Sequence, residues 1–310
     1  MKVFYSDQFV LPLPEGHRFP MNKYSMLRER VERANICGPG ELRRPHAVTD
    51  EEILRAHDPD YLKKVVTGTL TDKEIRRIGF PWSERMVERS RRASGGTLDA
   101  CRAALEEGIA ANLAGGTHHA FAGSGEGFCV LNDSAIAARA LRAEGLVDKV
   151  AVLDTDVHQG NGTAAILRGE PHVFTFSIHG AKNYPFHKEE SDLDIPLVDG
   201  TDDAAFLAAL SGALDRVLEL AAWDLAIFLA GADPFKGDKL GRLSVTKEGL
   251  ARRDQMVLEA CRERGIPVAV TMAGGYAKDV EDTVDIHFQT VQRAANMRES
   301  EISTAGGRQP

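Results

Sequence analysis

Cysteine is scarce in this 310-residue chain: Cys37, Cys101, Cys129 and Cys261 stand far apart with no CxxC pair. That suggests neither a disulfide framework nor a cysteine zinc knuckle, and most of the four are expected to be small buried hydrophobes. A basic excess is also lacking. Against 46 Asp and Glu there are 38 Lys and Arg, a formal net charge of −8, which speaks against a nucleic-acid-binding surface. A mildly acidic chain suits cationic substrates, although most soluble enzymes share that balance. No apolar run approaches the roughly 20 residues of a membrane helix, so no span is expected. The opening MKVFYSDQFVLPLPEGHR breaks at Pro12 and Pro14 without a small-residue cleavage site; no signal peptide is expected, and the expected location is the cytoplasm. There is no internal repeat, low-complexity tract or linker, so one domain is the economical reading.

What the chain does contain is alternation. Apolar, partly β-branched runs at Lys2 to Tyr5, Val150 to Leu153, Val173 to Ile178, Leu225 to Leu229 and Pro267 to Met272 are mostly separated by stretches of helical period. The helices are expected at Asn132 to Glu144, Asp202 to Ala222, Thr246 to Arg264 and Val280 to Arg298. This pattern predicts an α/β protein with a parallel sheet wrapped by helices, and ligands of such sheets bind outside the carboxyl ends of the strands. Here those ends read DTDVHQGNG, SIHG, AGADPF and MAGGY, which are metal-ligand and catalytic residue types.

Asp154, Asp156 and His158 alternate along an extended chain and so point to one side. Carboxylate oxygen and imidazole nitrogen are both zinc ligands, and a catalytic zinc has three protein ligands and an open position. The plainer alternative is an N-cap aspartate beside a satisfied histidine. Gly160-Asn161-Gly162-Thr163-Ala164-Ala165 also matches the G-x-G-x-x-A dinucleotide fingerprint. Asp154 and Asp156 would then face a pyrophosphate, however, and Ser177-Ile178-His179 closes the next strand without a ribose-binding acid. His118 and His119, in a Gly-flanked loop, can serve one water as general acid and base, or be a chance surface pair. Asp233, just past an apolar strand, calls for a metal or cation if buried, or else caps a turn. Tyr276 after Gly274 and Gly275 is either an oxyanion donor or a packing residue.

In order, GGTHHAFAGSGEGFCVLND, DTDVHQGNG, AGADPF and AGGY resemble the zinc-dependent histone deacetylase superfamily over about residues 2 to 290. HRFPMNKY (His17 to Tyr24) and NYPFHKEESDLDIPL make the class IV type and its bacterial relatives the most similar. The resemblance implies a single-domain, three-layer arginase/deacetylase fold with a central, mostly parallel sheet. The catalytic domain is expected over residues 1–300, and residues 301–310, which end in ISTAGGRQP, read as a flexible tail. The resemblance implies zinc ligands at Asp156, His158 and Asp233, and catalytic roles for His118, His119, Asp154, Asn161 and Tyr276. Asp154 would orient His118, Asp154 and Ser177 would belong to a structural potassium site, and Gly127, Phe128 and Gly275 would contact substrate.

The implied activity is zinc-dependent removal of an acetyl or longer acyl group from acyl-lysine, with His119 the base and His118 assisting. Acylated polyamines or other small amides are the alternative substrates. A binuclear arginase-like hydrolase fits less well, because AGADPF supplies only Asp233 where a second DxD element would be wanted. A non-catalytic relative would be expected to lose a ligand or Tyr276, and none is missing. Asn161 stands where many relatives have aspartate, so one histidine is expected to lack a carboxylate partner and to be harder to protonate.

Overall fold

The computed structural model describes residues 1–306, with side chains through Arg298. In chain order the elements are β1 (Val3–Phe4), α1 (Lys23–Arg33), β2 (Leu42–Arg43), α2 (Asp50–Leu54), α3 (Pro59–Thr67), α4 (Asp72–Ile78), α5 (Glu84–Glu107), β3 (Ile109–Asn112), α6 (Asp133–Ala143), β4 (Val150–Asp154), α7 (Asn161–Leu167), β5 (Val173–Gly180), β6 (Leu193–Leu197), α8 (Asp203–Glu219), β7 (Leu225–Leu229), α9 (Lys247–Glu263), β8 (Val268–Thr271) and α10 (Val280–Gly306). The strands form one sheet in the order β2-β1-β3-β8-β7-β4-β5-β6, and every strand pair in it is parallel.

The period-2 alternation of strand side chains explains why the apolar runs are continuous. On β4, Ala151 and Leu153 join a core with α1, α8, α9 and α10. Val150 and Val152 face the other way, into a core with α2 to α6. On β7, Ala226 and Phe228 go to the first core and Leu225, Ile227 and Leu229 to the second. Both faces of the sheet are thus covered, giving three layers.

Expected helix starts hold because polar side chains cap them: Asn132, Asp202 and Thr246 accept from the backbone N–H groups of Ala135, Ala205 and Gly249, each at 3.0 Å. The last helix does not stop at Arg298. It runs to Gly306, since no glycine or proline interrupts the chain before that point. Residues 301–306 of the expected tail are therefore helical, and 307–310 lie outside the described residues.

The strands whose ends carry the polar motifs, β8, β7, β4 and β5, are consecutive in the sheet. After β3 the chain crosses past the positions of β8 and β7 to enter β4, builds outward through β5 and β6, and then returns to fill the gap. That reversal of direction is where an open α/β sheet leaves a crevice. Among the described residues no helix is long and apolar enough to cross a membrane.

Candidate metal centre and its cavity

Asp156 and His158 follow β4, Asp233 follows β7, and all three are buried. One ligand atom from each lies within 4.8 Å of the others. Asp156 is fixed by the backbone N–H groups of Gly274 (2.8 Å) and His158 (2.9 Å). Asp233 Oδ1 accepts from Val157 N–H at 2.9 Å. Its other oxygen, Oδ2, is buried without a hydrogen-bond partner, although His158 Nδ1 lies 3.2 Å away. Burial and the Asp156 charge push the Asp233 carboxyl up to about 7. His158 Nδ1 is also 3.0 Å from Asp156 Oδ1. Burial opposes a charge on His158, but the two carboxylates outweigh it and hold its pKa near 10. Crowded carboxylates, an orphaned oxygen and an imidazole clinging to a proton between them are what a cation would relieve. A metal taking that place would release the proton. The donors are oxygen, nitrogen and oxygen, all zinc-type, in the number used by catalytic zinc.

Gly274 brings β8 against this centre. A Cβ at that position would collide with Asp233 Oδ2 and lie 2.5 Å from Asp156 Oδ2. Only glycine leaves room for both carboxylates.

The histidine pair is buried, not a surface accident. Its loop is tied down at the start of α6, where Asp133 accepts from the N–H groups of Gly116 and Thr117, each at 2.8 Å. Asn132 Nδ2 donates to Ala120 O at 3.0 Å. His118 Nδ1 meets Asp154 Oδ2 at 2.6 Å; an ionised carboxylate only accepts, so Nδ1 carries the hydrogen. Burial works against charge on His118, yet Asp154 and Asp156 raise its pKa to about 9. His119 differs. Its Nδ1 meets Asn161 Oδ1 at 2.7 Å, and burial with the charges of His118 and His158 lowers its pKa well below the usual value. His119 is therefore the neutral member, with its hydrogen on Nδ1 and a free lone pair on Nε2. His119 has the amide of Asn161, not a carboxylate, at Nδ1, and it is burial and the charges of His118 and His158 that make it hard to protonate.

Asn161 does reach a carboxylate, at one remove. Its Nδ2 donates to Glu126 Oε1 at 2.6 Å, which orients the amide so that Oδ1 faces His119. Glu126 Oε2 in turn accepts from Arg77 Nε at 2.5 Å. The buried Glu126 and the exposed Arg77 were not singled out by sequence reasoning. A carboxylate enclosed by Gly125 and Gly127 was the available signal.

A cavity of about 450 Å³ opens over the centre, lined by His158, His119, Tyr276, Gly127, Phe128 and Tyr184 among others. Tyr276 is half-buried, and burial with the nearby Asp233 charge raises its pKa well above the ordinary value, so the phenol keeps its hydrogen. Its backbone N–H donates to Asp238 Oδ2 at 2.6 Å, and Lys23 Nζ sits 5.3 Å from its ring centroid. Asp238 and Lys23 are further supports not singled out in the sequence. Of the three residues expected to contact substrate, Gly127 and Phe128 line the cavity and Gly275 does not; the Gly275 carbonyl instead accepts from Lys23 Nζ at 3.3 Å. Ser177 is the register partner of Asp154 across β4 and β5, while its hydroxyl bonds His179 Nδ1 at 3.0 Å. His118 is buried beneath His119, with ring centroids 4.2 Å apart, and does not line the cavity.

A parallel α/β fold with a metal-ready Asp-His-Asp group, a neutral histidine and a protonated tyrosine at its strand ends defines a hydrolase-type centre. The comparisons narrow the class: the histone deacetylase domain model matches residues 17–291, and the chain belongs to the histone deacetylase family. It is 44% identical over 293 residues to an uncharacterised protein of Picosynechococcus sp., covering 94% of this chain and 97% of that one. Histone deacetylase 2 of Arabidopsis thaliana is 26% identical over 305 residues, covering 94% and 79%. The crystal structure of an HDAC homolog complexed with SAHA matches with a TM-score of 0.83 at 25% identity, covering 95% of this chain and 84% of that one. The single-domain arginase/deacetylase architecture expected from the resemblance is the one observed, with the sheet wholly parallel. Family membership supports deacetylase-type hydrolysis.

Proposed function

We propose that the chain is a zinc-dependent deacylase acting on acyl-lysine, with Asp156, His158 and Asp233 as the zinc ligands. The observation that carries this reading is the convergence of these three buried groups, one with an orphaned oxygen, beside a cavity that also presents His119 and Tyr276. Zinc there would polarise the amide carbonyl and lower the pKa of water from about 15.7 toward about 7.

The chain's own residues supply the rest. His119 Nε2 takes the proton from the attacking water, because Asn161 holds the hydrogen of this imidazole on Nδ1 and its surroundings keep it neutral. His118, holding its charge against Asp154 beneath His119, stabilises negative charge, and His119 Nε2 passes the proton it has taken to the departing amine. The Tyr276 hydroxyl donates to the developing oxyanion. Phe128 and Gly127 wall the acyl-lysine stem. The products are a free amine and a carboxylate. Pairing of Asp154 with Ser177 across neighbouring strands is the support for potassium beneath the histidines.

Two substitutions test the division of roles. Tyr276→Phe is expected to keep its zinc while losing roughly 100- to 1000-fold in kcat, the effect of removing one oxyanion donor. Asp233→Ala is expected to lose the metal itself. Equal zinc loss in both variants contradicts the assignment.

A further inference from the structure

The chain is acidic overall, yet the mouth of the cavity is not. Five of the lining residues are Arg18, Arg76, Arg77, Lys182 and Arg242, and no Asp or Glu lines it. All five are exposed. Arg77 is engaged by Glu126 and Arg242 by Asp199, but Arg18, Arg76 and Lys182 have no acidic partner among the described residues. Beside the unpaired cations, Phe186 projects from the β5–β6 loop with 81% of its surface exposed, its ring edge-on to Tyr184 at 6.2 Å. Positive charge left unneutralised around an opening, next to an aromatic ring left in water, marks a surface kept for a ligand.

The cations come from separate places: the segment before α1, helix α4, the β5–β6 loop and the loop after β7. They thus reach the opening from four separate segments of the chain. We infer that this mouth selects an acylated lysine set in an acidic stretch of polypeptide, with Asp or Glu on both sides of the reactive residue. The inference rests on the deacylase reading and gives it a substrate class. The rim would repel an acylated polyamine, so it favours the peptide over that alternative despite the acidity of the whole chain.

The test is binding, which needs no turnover. Labelled acyl-lysine peptides of equal length with acidic, neutral or basic flanks are titrated with the zinc-loaded protein, followed by fluorescence anisotropy at low and high salt. The acidic peptide is expected to bind roughly tenfold or more tighter than the basic one at low salt, with the gap narrowing as salt screens it. Reversing charge with Arg18→Glu and Lys182→Glu is expected to shrink or invert the preference. Equal affinities, tighter binding of the basic peptide, a preference untouched by charge reversal, or an acetylated polyamine competing as well as the acidic peptide would each overturn the inference. Hydrolysis of all three peptides without an affinity difference counts against the rim alone. The affinity difference without hydrolysis of any counts against the deacylase reading alone.

Discussion

Replacing Glu126 with alanine isolates the relay behind His119. In the native arrangement, Arg77 holds Glu126, Glu126 fixes the Asn161 amide, and Asn161 Oδ1 holds the hydrogen of His119 on Nδ1. Removing the carboxylate frees the amide to rotate, and its NH2 group can then turn toward His119 Nδ1 and favour the wrong tautomer. The bond lost is charge-assisted, worth about 1.5–3 kcal/mol, or roughly 10- to 150-fold in rate. Glu126→Ala should therefore lower kcat by that range with KM and zinc content little changed, measured on an acyl-lysine peptide with metal-replete protein. Glu126→Gln keeps an acceptor for Asn161 Nδ2 and should recover most of the loss. Combining Glu126→Gln with Asn161→Asp moves the negative charge directly onto His119 Nδ1, which should raise its pKa by roughly 1–3 units. With His119 as the proposed neutral base, a higher pKa moves the acid limb of kcat/KM to higher pH by the same amount. Wild-type kcat in Glu126→Ala, or an acid limb unmoved in the double variant, refutes the relay.

Two further substitutions probe the frame around the site. Gly274→Ala drives a methyl against Asp233 and Asp156 and should weaken zinc binding by at least roughly 10- to 100-fold while the protein stays folded; an unchanged affinity in a chelator competition contradicts this. His57 is buried, and burial lowers its pKa to about 4, while its Nε2 accepts the Asn132 N–H at 2.9 Å. The unfolded chain takes up this proton near pH 6.5 and the folded chain only near pH 4, so stability falls across that window by about 3 kcal/mol. His57→Phe should flatten the fall seen in denaturant titrations at successive pH values, and an identical slope in the variant shows that His57 contributes none of it.

The centre of the sheet was legible because β4, β5, β7 and β8 are apolar on both faces, and such runs stand out whatever surrounds them. Of the outer strands, β1 stood out as part of the run Lys2 to Tyr5, whereas β2, β3 and β6 did not. β3, Ile-Ala-Ala-Asn, has the composition of the end of α5, and β6 carries Pro196, which the edge of a sheet tolerates and a central strand does not. Helix α5 was hidden by Gly95 and Gly96 at its middle, where a Cβ on Gly95 would collide with the His46 carbonyl. Asp156, His158, Asp233, His118, His119 and Tyr276 could be read because each ends or closely follows a recognisable motif. Glu126 could not be paired with Asn161, since 35 positions separate them and only the fold closes that distance. The rim cations come from segments with nothing in common in sequence, so their shared position belongs to tertiary structure alone.

A single zinc held by Asp156, His158 and Asp233 is proposed to make this chain a deacylase. The most direct measurement is hydrolysis of an acyl-lysine peptide by metal-stripped protein as zinc is titrated back. Activity is expected to be absent at first, to rise with added zinc, and to level off at about one equivalent per chain. Hydrolysis that persists in the stripped protein, or a fully zinc-loaded protein inert to acetyl-lysine and longer acyl-lysine peptides alike, would contradict it.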